Sequence, residues 1–176
     1  MKRTITLILF LIISFNLPVK GQSIEYTLKA AFIEKFTRFI KWPDSVAIDD
    51  TTKVFILSVI GKNPFGIALN EFFSNQKIKN KKVEIKYISN INDISECHFL
   101  FISESEKNSL SEILLFTKDK PILTVSDTPG FAEKGVGINF VTKKDKIKFE
   151  INFKTFLDKG IKVNFQLLTL ATVIYN

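Results

Sequence analysis

The residues best equipped for chemistry stand side by side. Cys97 and His98, the only cysteine and the only histidine of the chain, lie in "ISECHFLFISESE", residues 94–106. A thiol beside an imidazole suggests an activated nucleophile or a metal site. The apolar run that follows reads as a strand, however, and neighbouring side chains of a strand leave opposite faces. Adjacency therefore separates Cys97 from His98. A nucleophilic cysteine would need a histidine from elsewhere in the fold, and the chain has no second one. Zinc takes about four ligands, of which this pair supplies two. A buried structural strand is the reading that remains, and it predicts no catalytic residue and no metal or other cofactor here.

The other candidates are similarly weighed down by missing partners. Gly61 and Gly66 in "GKNPFGIALNEFF" suggest a phosphate loop, but Ile67-Ala68 stands where the lysine and hydroxyl residue would follow the second glycine. They instead shape a strand-to-helix turn, with Asn63 as helix cap and Pro64 in the first turn. Glu104 and Glu106 fall at a helix start, where acids favour the positive end of the dipole. Asp127 follows a strand and precedes Pro129 by two positions, as a cap or turn residue would. In an open α/β sheet, ligands bind beyond the carboxyl ends of the strands. Gly61, Ser103 and Asp127 all fall at such ends and form a candidate ligand pocket. A hydrolase using Ser103, Ser126 or Asp127 is the more distant reading.

The elements that must position these residues follow from periodicity. From Ile24 to Trp42, Leu28, Phe32, Phe36, Phe39 and Ile40 recur at helical steps, giving an amphipathic helix that stops before Pro43. "VFILSVI" (54–60), "CHFLFIS" (97–103) and "KPILTVSD" (120–127) are apolar runs of strands buried on both faces, and "KVEIKYI" (82–88) alternates as a half-exposed strand. A helix is expected over Ser105 to Phe116, and a short helix or turn at "TPGFAEKG". Residues 136–152 read as two strands joined by a polar turn at Lys143 to Lys146. Two final helices, broken at Gly160, complete the chain. Strands alternating with helices imply an α/β fold: a Rossmann-like three-layer sandwich with a mostly parallel sheet and an antiparallel edge hairpin.

Residues 1–21 stand apart. Lys2 and Arg3, the apolar run Ile5 to Ile13, Pro18 and the small residues Val19 and Gly21 have the three-part layout of a secretory signal cut after Gly21. The run is shorter than the about 20 residues that span a bilayer. The expectation is a leader followed by one exported domain over 22–176, periplasmic and without a transmembrane span. Losing Lys2, Arg3 and Lys20 removes three of the seven excess positive charges, so the remainder is only mildly basic. The clusters "IKNKK" (78–82) and "KKDKIK" (143–148) fit solvated turns, and no aromatic-interleaved basic motif points to nucleic acid.

Six ordered blocks, "EYTLKAAFIEKFTRFIKWP", "SVIGKNPFG", "ECHFLFIS", "ILTVSDTPGFAEKGVGINFV", "KIKFEIN" and "GIKVNFQLLTLATV", together resemble the YfiR-like family of small periplasmic proteins. The resemblance runs from about Ile24 to Thr172. It implies a Rossmann-like α/β sandwich that tends to dimerise, and a regulator that holds a membrane-bound diguanylate cyclase inactive by binding its periplasmic sensor domain. Relatives also occur beside or fused to sensor kinases. Family members often carry further cysteines, and in the characterised type the Cys of the "CHxxFI" block joins a disulfide, whereas Cys97 has no intrachain partner. Gly135-Val136-Gly137 also departs from the family's paired glycine, which puts in doubt a close backbone approach by the second glycine.

Two function classes follow. The first is a regulatory binding protein whose partner is a membrane signalling protein, a diguanylate cyclase or a histidine kinase sensor domain, and which pairs as a homodimer. Its contact surface is sought on the first and last helices, at Phe32, Phe36, Phe39, Phe165 and Leu168, where apolar residues exceed the stripe about 100° wide that a core needs. The second is a sensing module with a small ligand at Gly61, Ser103 and Asp127.

Overall fold

Apolar runs too short for helices become the centre of one twisted sheet in the computed structural model, which describes residues 19–175 except 47, 49, 51, 95, 96 and 145. The expected leader therefore lies outside the described residues as far as position 18. Helix α1 (Val19–Arg38) leads into a two-residue strand, β1 (Ile40–Lys41). Then follow β2 (Phe55–Ile60), α2 (Ala68–Asn75), β3 (Val83–Ile88), β4 (Phe99–Ile102), α3 (Leu110–Thr117) and β5 (Leu123–Ser126). The hairpin β6 (Ile138–Lys143) and β7 (Lys146–Asn152), α4 (Phe153–Asp158), β8 (Lys162–Val163), α5 (Phe165–Leu168) and β9 (Thr172–Ile174) close the order.

Seven strands pair in the order β3-β2-β4-β5-β6-β7-β9. The first five are parallel, β7 runs antiparallel to β6, and β9 is parallel to β7. The fold is thus the mixed α/β, Rossmann-like arrangement expected, with a mostly parallel sheet. Strand alternation divides its interior. Phe99 and Phe101 face the larger core with Phe36, Phe55, Leu57 and Phe140, while Leu100 and Ile102 face a smaller one with Ile94, Leu110, Ile113 and Phe131. Burying a ring such as Phe36, 1% exposed, contributes about 1.5–3 kcal/mol.

Tertiary pairing moved several expected boundaries. The first helix ends at Arg38, because Ile40 and Lys41 pair with Val163 and Lys162 in a separate two-stranded sheet and Asn164 N–H donates to the Phe39 carbonyl at 2.8 Å. Asn63 caps no helix: its Oδ1 accepts from Phe65 N–H and its Nδ2 donates to the Gly66 carbonyl, closing a turn, and α2 begins only at Ala68. The expected helix at 105–116 is a 3-10 turn, Glu104–Glu106, followed by α3. The expected final helix is mostly strand and turn. Only Phe165–Leu168 is helical, and β9 pairs outside β7, so the hairpin is not the edge of the sheet.

Candidate functional site

From β2 the chain crosses to β3 on one side, and from β4 to β5 on the other, so the sheet order reverses direction between β2 and β4. Such a switch point leaves a crevice at the carboxyl ends of the strands. Here it is a cavity of about 630 Å³ whose lining includes Tyr26, Lys62, Asn63, Ser103, Glu104 and Asp127.

Asp127 anchors one wall. Its Oδ2 accepts from the Tyr26 hydroxyl at 2.8 Å and from Lys29 Nζ at 2.7 Å. Lys29 also pairs with Glu25 Oε1 at 2.8 Å and lies over the Tyr26 ring, 4.3 Å from its centroid. Burial, and then the Asp127 charge, hold the Tyr26 phenol well above its ordinary titration range. The side chains of Lys29 and Asp127 are only 5% and 11% exposed, so this pair is shielded from screening as a surface pair is not.

The opposite wall joins the two strand-end loops. Ser103 Oγ donates to the Lys62 carbonyl at 2.7 Å, and Lys62 N–H donates to Ser105 Oγ at 2.8 Å. Gly61 makes this approach possible. It sits at φ +88°, and a Cβ there would fall 2.3 Å from Ser105 Oγ and 2.5 Å from Glu106 Oε1.

The structure thus brings Ser103 and Asp127 to one cavity, with Gly61 shaping its rim. Sequence reasoning missed Tyr26 and Lys29, which reach Asp127 across about a hundred positions of chain. Among the described residues neither Ser103 Oγ nor Ser126 Oγ is hydrogen-bonded to a histidine or a carboxylate. Ser126 Oγ donates to the Ile102 carbonyl at 2.7 Å, and His98 stands at the other end of the strand that Ser103 follows, about 16 Å away.

Cys97 and His98 precede β4 and do separate work. Cys97 is buried and free, and burial pushes its thiol up to about 11, the reverse of an activated thiolate. His98 Nδ1 accepts from Ile56 N–H at 3.0 Å and its ring stacks on Phe55, with centroids 4.9 Å apart. Burial, and then the Lys81 charge, depress its pKa, so it stays neutral as an acceptor must. Among the described residues no group of three or more His, Cys, Asp or Glu side chains could hold a metal ion.

The residues sought as a contact surface divide. Phe36 is core, and Phe32 and Phe39 are half-buried against it, Phe32 in edge contact with Phe140. Leu168 also packs on the core, and its neighbour Leu167 is the buried member of α5. Phe165 alone of the five is open, 75% exposed, followed by Leu170 and Tyr175 at similar exposure.

Gly137 settles one departure noted in the sequence. Its N–H donates to Thr124 Oγ1, and a Cβ would meet the Thr124 carbonyl at 3.1 Å, so the close approach is made here.

Comparison with known proteins fits this geometry. A solved ABC domain in complex with L-Trp from Streptococcus pneumonia superposes with a TM-score of 0.53 at 12% identity, over 74% of this chain. The chain spans 59% of that structure's length, and the likeness at this identity is one of fold. No curated protein matches. A family model described as YfiR/HmsC-like matches residues 26–172, which takes in β1 to β8, the first residue of β9 and most of α1. The chain belongs to the YfiR/HmsC-like family, whose members are periplasmic regulators of signalling.

Proposed function

We propose that the mature chain is a periplasmic binding protein that holds a membrane-bound signalling enzyme inactive by contact with its sensor domain. The enzyme is a diguanylate cyclase or a sensor kinase. The observation that carries this reading is the segment 165–175: Phe165, Leu170 and Tyr175 are 75%, 67% and 76% exposed beside β9, the outermost strand of the sheet. Large apolar side chains gathered beside an open strand edge mark an interaction surface. A second copy of the chain, as the family resemblance implies, or the sensor domain would cover it. None of the described helices is long and apolar enough to cross a membrane.

Capture by the mature chain from envelope membranes tests this. Recovery of a membrane protein with a periplasmic sensor domain, abolished by Phe165→Asp, is the expected result. Recovery of no such protein would sink the proposal.

A second reading has its own observation, the cavity of about 630 Å³ at the switch point. Its size suits a small solute, and the fold neighbour holds L-Trp. A small molecule retained through purification and lost in Ser103→Trp would favour it.

A further inference from the structure

We propose that the groove at the opposite, amino end of the sheet binds a compact polyanion, a molecule presenting two or more phosphoryl or carboxylate groups. The groove has a volume of about 430 Å³, and among the described residues its lining holds four cations, Arg38, Lys41, Lys79 and Lys162, and no carboxylate. They come from three segments distant in sequence: the end of α1 with β1, the turn before β3, and β8. Only Lys79 belongs to a basic run, residues 78–82, so one solvated cluster does not account for the convergence of all four.

The register of the two-stranded sheet makes the charge arrangement specific. Lys41 lies directly opposite Lys162, and Ile40 opposite Val163. Like charges facing each other across a strand pair oppose the pairing, and an anion between them reverses the sign. Existing carboxylates do little of this. Arg38 engages Glu34 through Nε alone, at 2.7 Å, and Lys41 reaches Asp44 only at 3.9 Å between two exposed side chains. Lys79 and Lys162 form no ion pair among the described residues, so two ammonium groups remain uncompensated.

A tight turn and an amide complete the lining. Lys79 and Asn80, at φ +50° and +62°, are the central pair of a two-residue hairpin turn in which Ile78 and Lys81 exchange backbone hydrogen bonds, and this turn brings Lys79 to the groove. Asn164 uses its Oδ1 to accept from Gln166 N–H, which leaves its amide Nδ2 as a neutral donor beside the cations. Fork-shaped Arg38, three ammoniums and an amide are donors suited to clustered oxyanions. The concavity and volume are those of a small-molecule site, which favours a compact ligand over a flat anionic surface.

Calorimetric titration of the mature chain with inorganic pyrophosphate and with citrate, at fixed ionic strength, tests this. The expected result is saturable binding of at least one, with a rise in Tm, weakened tenfold or more in Lys79→Ala/Lys162→Ala. The exposed pair Lys107→Ala/Lys118→Ala should leave it unchanged. Binding of pyrophosphate alone assigns phosphoryl groups, and of citrate alone carboxylates. Absence of saturable binding of both at millimolar concentration overturns the proposal, as does equal weakening in the two double variants. So does binding of a hexaglutamate peptide or of phosphatidylglycerol vesicles that neither small anion displaces, which would make the groove a docking face for a macromolecule.

Discussion

The middle of helix α1 and the stretch from its end into β1 carry the same kinds of residue and use them differently. In the middle, Lys29 is buried between Glu25 and Asp127 and covered by the Tyr26 ring. At its end, Arg38 and Lys41 face Lys79 and Lys162 across a groove, and Lys41 lies opposite a like charge. The first set is closed on itself: each charge has a partner within 2.8 Å, and its effect is to fasten the helix to the strand end after β5. The second set is open. A buried charge must find its partner in the fold, because its desolvation is costly, whereas exposed charges tolerate mismatch and remain available to a ligand. Burial therefore separates charge that builds this molecule from charge it presents.

Breaking the closed set should have the largest effect. Asp127→Ala leaves Lys29 buried with Glu25 alone and removes the Tyr26 acceptor. Loss of one partner of a buried pair costs about 3–5 kcal/mol, and the remaining Glu25 reduces the expected loss to about 2–3 kcal/mol in urea unfolding. A change below about 0.5 kcal/mol would show that the pair does not fasten the helix.

Gly61→Ala comes next. The new methyl would enter the space of Ser105 and Glu106 at a left-handed backbone position, so a loss of about 1–3 kcal/mol is expected, with widening of the cavity beside Ser103. An unchanged midpoint would mean that the two strand-end loops are not in the contact described.

How much of this was legible in the sequence depends on where the partners lie. The strands were readable because residues 55–60, 99–102 and 123–126 are buried on both faces and so are mostly apolar, with Ser58, Thr124 and Ser126 the buried polar exceptions. Gly61, Ser103 and Asp127 were readable by position, since each follows a strand. Tyr26 and Lys29 were not, because nothing local marks a contact with Asp127. The final segment was misread for a different reason. Phe165, Leu167, Leu168 and Leu170 suit a helix face, but Thr169, Thr172, Val173 and Ile174 are β-branched, and pairing with β7 drew 172–174 into the sheet. The exposed apolar residues mistaken for a helix stripe are the surface assigned here to the partner.

The amino end can be probed by pH. The folded protein depresses the His98 pKa, through burial and then the Lys81 charge, so the unfolded chain binds the extra proton below its ordinary value near 6.5. Stability should therefore fall as pH drops from about 7 to 5. The slope should be shallower in His98→Gln, which keeps an acceptor for Ile56 N–H and cannot titrate; identical slopes would remove His98 as the source. The smallest effect is a gain. Lys162→Glu turns the like pair with Lys41 into an opposite one and should add about 0.2–1 kcal/mol. A loss of stability would contradict the register.

The central claim, regulation by contact through the segment that ends at β9, is tested most directly with purified components. The periplasmic sensor domain of the membrane signalling protein captured by the mature chain would be titrated with the mature protein and with Phe165→Asp. Saturable binding by the mature protein, at least tenfold weaker in the variant while its unfolding midpoint stays unchanged, is the predicted result. Failure of the mature protein to bind, or equal binding by Phe165→Asp, would contradict it.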